Sequence, residues 1–103
     1  MKFIYTMTCP ATSAVEFGKA GVKNFLENPW PDFVKLIGPY SLFCEDGCKT
    51  YAILEIEDGK EDEYFKIANK RMANYMSVPG FGSKEERLLS REETLVLLGL
   101  EGS

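Results

Sequence analysis

The sequence predicts an α+β domain, and three observations carry that expectation. Strand-like stretches with a period of two alternate with stretches whose apolar residues recur at helical spacing. Three Ser/Asp-x-x-Glu patterns stand where the helical stretches begin. Proline- and glycine-rich turns separate the segments.

The first strand is expected over residues 1–9. Phe3, Tyr5, Met7 and Cys9 alternate with Ile4, Thr6 and Thr8, and Pro10 ends the run because it has no N–H for the ladder. Ser13 and Glu16 form a capping-box pattern for a helix whose stripe is Val15, Gly18, Val22, Phe25 and Leu26. Gly18 and Gly21 lower that helix's intrinsic stability by roughly 1 kcal/mol each, and are expected to let it pack close to the sheet. The stretch Asn28-Pro29-Trp30-Pro31-Asp32 stops it in a stiff loop.

A second strand, Phe33 to Cys44, is expected to bend at Gly38-Pro39 and to lie at a sheet edge. Glu45-Asp46-Gly47 reads as a hairpin turn, followed by a third strand from Lys49 to Glu57. Tyr51, Ile53 and Glu55 share one of its faces, and Ala52, Leu54 and Ile56 the other. Asp58 and Glu61 repeat the capping pattern, and Glu61 to Glu63 suit the positive end of a helix dipole. That helix is striped by Tyr64, Ile67, Ala68, Met72 and Tyr75 or Met76, with Lys66, Lys70 and Arg71 mostly outside the stripe. Pro79-Gly80 closes it. Phe81 to Leu89 reads as a short polar strand, and Ser90 with Glu93 opens a last helix through Leu95, Leu97 and Leu98.

The order β-α-β-β-α-β is that of the split βαβ, or ferredoxin-like, topology, here in one domain over residues 1–103. Two helices cover one face of such a sheet. The other face, with Tyr51 and Ile53, must meet something, and a homodimer is the expectation. Composition agrees with a folded soluble domain: 45% of the residues are hydrophobic and 27% charged, so a sizeable core is available. Twelve basic against sixteen acidic residues give a net charge of -4, which repels phosphate backbones and argues against nucleic acid. The opening residues lack the pattern of a signal peptide, and no stretch approaches the ~20 apolar residues of a membrane helix. Three cysteines form no disulfide framework, so a cytoplasmic protein is expected. Histidine is absent, which removes the serine–histidine and cysteine–histidine nucleophile systems and the commonest ligands of zinc and haem.

With these elements in place, the whole chain resembles a family of short, uncharacterised prokaryotic proteins of dimeric α/β-barrel build. The resemblance is carried by Met1-Lys2-Phe3, by Pro31 to Gly38, by Tyr51-Ala52-Ile53-Leu54-Glu55 and by Val78-Pro79-Gly80-Phe81. It implies two sheets packed face to face across a two-fold axis. It carries over no catalytic residues; related barrels often bind small organic molecules between their sheets, and some use haem or catalytic histidines, but this chain has no histidine and no cofactor is expected.

Three constellations compete with plain packing. Tyr51, Ile53 and Glu55 would line a pocket on the uncovered face or else form a dimer core; Tyr5 joins them unless Phe3, Tyr5 and Met7 face the helices, an alternative the pattern leaves open, and Tyr40 lies beyond the bend. In such a pocket Glu55 would serve as acid or base if its surroundings were apolar. Trp30 is a lid, a partner anchor or a plug at the end of the first helix. Cys9, Cys44 and Cys48 gather at one end of the sheet as weak zinc candidates, with ordinary buried or rim cysteines the simpler reading. Lys49 to Ile56 loosely resembles an RNA-recognition strand but lacks its glycine and two of its aromatics.

The expected function is therefore a homodimeric module that binds a small apolar or aromatic molecule, or one that only assembles. The alternative is a cofactor-free isomerase or monooxygenase acting on a small aromatic or lactone compound.

Overall fold

The structure is a computed structural model and describes residues 1–100. Four strands form one sheet: β1 (Lys2–Cys9), β2 (Val34–Cys44), β3 (Gly47–Ile56) and β4 (Gly82–Leu88). Helix α1 (Ala14–Glu27) follows a 3-10 turn at Ala11–Ser13, α2 (Glu61–Tyr75) follows β3, and α3 (Arg91–Leu97) follows β4. The strand order is β2-β3-β1-β4, and every neighbouring pair is antiparallel.

Alternation decides what each face of the sheet meets. Phe3, Tyr5 and Cys9 of β1 and Thr50, Ala52, Leu54 and Ile56 of β3 are buried on the helix side. Phe3, Tyr5, Leu54 and Ile56 cluster with Tyr64 and Ala68 of α2, and Cys9 with Cys48, Ala20 of α1, Tyr75 and Val78. Ile4, Thr6, Tyr51 and Ile53 point to the opposite, half-exposed face. Its apolar centre is the cross-strand row Ile4, Ile53 and Ile37.

The edges are managed locally. In β2 the register shifts between Ile37 and Tyr40, at Gly38-Pro39, where the expected bend falls. Strand β4 exposes Lys84, Glu85, Glu86 and Arg87, and this charge blunts its free edge.

Of the three capping patterns, one forms. Ser90 Oγ accepts from the Glu93 backbone N–H at 3.0 Å, and the Glu93 carboxylate accepts from the Ser90 N–H at 3.0 Å. That backbone bond holds the Glu93 carboxyl below its ordinary value. Ser13 does not cap α1. It is buried, and its hydroxyl donates to the Pro79 carbonyl at 2.7 Å instead. For α2 the capping position falls on Lys60 and lacks a side-chain cap.

The described residues extend 51 × 31 × 18 Å with a radius of gyration of 15.7 Å. A compact chain of this length has about 13 Å. Helix α3 is one reason: it buries no residue, is pinned by an Arg87–Glu93 pair at 3.3 Å, and leaves Val96, Leu97 and Leu98 exposed.

Candidate functional site

Helix α1 departs most from the expected packing. Val15, Val22, Phe25 and Leu26, the expected core stripe, are between 60% and 74% exposed. The helix holds to the body through Ala20, half-buried Phe17 and Asn24, which is fully buried. Asn24 accounts for this placement. Its Nδ2 donates to the Arg71 carbonyl at 2.9 Å, and its Oδ1 accepts from Asn74 at 2.7 Å and from Asn28 at 3.4 Å. A buried amide needs such partners, and Arg71 and Asn74 lie on α2, so α1 turns its polar residue toward α2.

This leaves a cleft of about 660 Å³ between α1 and the sheet. Its floor is Tyr5, Leu36, Ala52 and Leu54, and its α1 wall is Phe17, Gly18, Gly21, Val22 and Phe25. Trp30, Arg71 and Tyr75 close the α2 side. A methyl group added at Gly18 would meet nothing within 4 Å, and one at Gly21 only the Tyr75 hydroxyl at 3.5 Å. The glycines therefore widen the cleft instead of seating the helix on the sheet.

The polar groups in the cleft are few. The Ser41 and Thr50 hydroxyls bond to each other at 2.8 Å. Tyr64 donates to the Tyr5 hydroxyl at 3.3 Å. Burial, with Glu85 nearby, pushes the Tyr5 phenol up to about 12, so it stays protonated at neutral pH. The Tyr64 phenol is raised as well, by burial first and then by Tyr5. Arg71 donates from Nη1 to the Asn28 carbonyl at 2.6 Å and to the Asn24 carbonyl at 3.3 Å, at the negative end of α1. Its guanidinium lies 4.5 Å from the centre of the Trp30 ring.

The candidate residues divide between the two faces of the sheet. Tyr5 and Trp30 line the cleft. Trp30 is half-buried and stacks on Tyr64 at 5.5 Å, so it is wall and plug together. Tyr40, Tyr51, Ile53 and Glu55 lie on the outer face, so the grouping of Tyr5 with them does not form. The reason is register: Thr6, not Tyr5, stands opposite Tyr51. Glu55 is exposed beside Lys2, 3.9 Å away, outside the cleft. Arg71, expected outside the α2 stripe, is half-buried within it. It stands seven residues after Tyr64 and four before Tyr75, a spacing that places all three on one face.

The cysteines behave as two populations. Cys9 and Cys48 are cross-strand partners, both buried, with Sγ atoms 2.7 Å apart. Burial and then the Cys48 thiol push the Cys9 thiol up to about 11. Cys44 is exposed at the hairpin. Among the described residues no three cysteine or carboxylate side chains come together as a metal site. A thiol reagent at neutral pH should label one thiol, Cys44, in the native protein and three after denaturation. Rapid native labelling of all three would show that the strand end is open.

The class this geometry defines is a small α+β domain with a four-stranded antiparallel sheet and an apolar cleft under one helix. Among the described residues no helix is long and apolar enough to cross a membrane. Compared with protein-family models, curated proteins and solved structures, the chain matches none.

Proposed function

We propose that this chain is a ferredoxin-like, homodimeric module of the cytoplasm that binds a small apolar or aromatic molecule. The observation that carries the reading is the cleft of about 660 Å³, whose walls are mainly apolar and whose polar groups are few. Ligand sites in proteins have this size and make-up.

The assembly part rests on separate support. Read from the other edge, the strand order is β4-β1-β3-β2, which agrees with a split βαβ arrangement. Ile4, Ile53, Ile37 and Tyr51 offer an apolar face that neither α1 nor α2 covers, and a second sheet packed there gives the dimeric barrel. The exposed leucines of α3 add apolar surface for the same purpose. The cytoplasm is inferred from cysteine usage, three cysteines that make no repeated framework.

Native mass spectrometry of the protein from its own source tests both parts. The expected result is a species of twice 11.6 kDa that retains an organic mass. In Gly18→Met that mass should be lost, because the new side chain starts from open space on the cleft wall. The same change should raise stability by about 0.7 kcal/mol, since methionine is the better helix former. A ligand retained undiminished in Gly18→Met would move binding out of the cleft, and a bare monomer would end the proposal.

A further inference from the structure

The cleft has a chemical polarity that narrows what it takes, and this step rests on the small-molecule reading above. Of the groups that line it, Arg71 alone carries a formal charge at neutral pH. Among the described residues no carboxylate pairs with its guanidinium, since all six ion pairs lie elsewhere. Its side-chain hydrogen bonds leave from Nη1 alone and end on two neutral carbonyls. Nη2 and Nε have no protein acceptor. Every fully buried side-chain nitrogen and oxygen among the described residues has a partner, so these two groups reach accessible space. Burial opposes the charged form of Arg71, which marks a cation that would gain from a counter-ion.

We propose that the cleft binds an amphipathic monocarboxylic acid, its carboxylate on Arg71 and its apolar body against Leu36, Leu54, Val22 and Phe25. A guanidinium fork held in place presents two N–H groups at the spacing of a carboxylate's oxygens. Arg71 is so held, by the carbonyls at the end of α1 and by the Trp30 ring. One cation matches one negative charge. A phosphate monoester would bring close to two, and the cleft offers no second cation to meet the other. The rest of the ligand is mainly apolar: besides Arg71 the lining offers the Tyr75 hydroxyl and the Trp30 indole N–H, and its other hydroxyls are already bonded. Ser41 bonds to Thr50, and Tyr5 accepts from Tyr64.

The test compares 2-naphthoate with 2-naphthalenemethanol on the full chain by titration calorimetry. The two share a ring system and differ in charge. Naphthoate should bind roughly tenfold tighter or more, the range for a hydrogen bond to a charged group. In nuclear magnetic resonance, the Arg71 Nε–H signal should move with naphthoate and not with the alcohol. Arg71→Gln should abolish the preference, bringing the affinities for naphthoate and for the alcohol to within about twofold of each other. Because Arg71 also caps α1, melting of the variant is followed, and the wild-type comparison stands without it. Equal or stronger binding of the alcohol overturns the acid assignment and leaves the apolar cleft intact. A preference that persists in Arg71→Gln overturns the role of Arg71. If neither compound binds, the small-molecule reading itself falls.

Discussion

Replacing Tyr64 with alanine should cost about 4 kcal/mol, the range for removing a large aromatic from a core. Tyr64 is 0% exposed and stands at the centre of an aromatic stack. Phe3 lies parallel to it at 5.8 Å on one side, Trp30 at 5.5 Å, and Phe65 meets its edge at 5.0 Å. These rings come from β1, the loop after α1, and α2 itself, so one truncation loosens three elements. Such pairs add about 1 kcal/mol each beyond the area they bury. In a domain of this length that loss lowers the melting temperature by about 20 °C and uses a large share of the total stability. Tyr64→Phe should cost only about 1 kcal/mol, because it removes the bond to Tyr5 and keeps the stack. Urea unfolding of both variants separates packing from hydrogen bonding. Near-equal losses would mean that the phenol pair, not the stack, holds this part of the core.

Much of this architecture is legible in the sequence, for a local reason. Period-two alternation is enforced by the pleat, so it sorts Phe3, Tyr5 and Cys9 from Ile4 and Thr6, and Ala52, Leu54 and Ile56 from Tyr51 and Ile53, without reference to other elements, although it leaves open which set of the first strand meets the helices. The Ser90 and Glu93 box also forms from residues within one turn. What fails to show is what depends on distant partners. The Ser13 and Glu16 pattern has the same spacing as the Ser90 box, but Pro79, sixty-six residues away, takes the serine hydroxyl.

The candidate site was less legible than the fold, and for a related cause. Periodicity tells which residues of α1 share a face, not which face another element will take. Asn24 decides that, through Arg71 and Asn74, which are forty-seven and fifty residues distant. With Asn24 turned toward α2, Val22, Phe25 and the two glycines are left over the sheet as a cleft wall. The aromatic candidates were scattered by parity alone. Tyr5 pairs with Ala52 and Thr6 with Tyr51, so a one-residue step sends Tyr5 to the cleft and Tyr51 to the opposite face. Arg71 was concealed by its charge, although its spacing from Tyr64 and Tyr75 places it on the buried stripe.

Gly47→Ala should be as damaging as the loss of Tyr64, at about 4 kcal/mol, and by an unrelated route. Gly47 pairs with Cys44 to close the β2–β3 hairpin, with a φ of 126° that L side chains rarely adopt. That conformation alone costs an alanine on the order of 1–3 kcal/mol. The added methyl group would also fall on the Cys9 carbonyl oxygen, 3.0 Å from Pro10 Cα and 3.1 Å from the Ala11 nitrogen. All three are backbone atoms, so no rotamer change relieves the contact, and the overpacking adds on the order of 1–3 kcal/mol. Gly59→Ala is the matched control: its φ is 84°, but its added methyl meets nothing within 4 Å. It should cost only about 1 kcal/mol. The difference between the two variants isolates the clash from the dihedral. The clash has its own signature as well. Pushing the end of β1 away from Gly47 pulls Cys9 from Cys48, so Gly47→Ala should expose buried thiols to native labelling while Gly59→Ala keeps them closed. Equal losses in the two variants, with Cys44 alone labelled in both, would mean that β1 yields around position 47 and that the hairpin is not wedged against it.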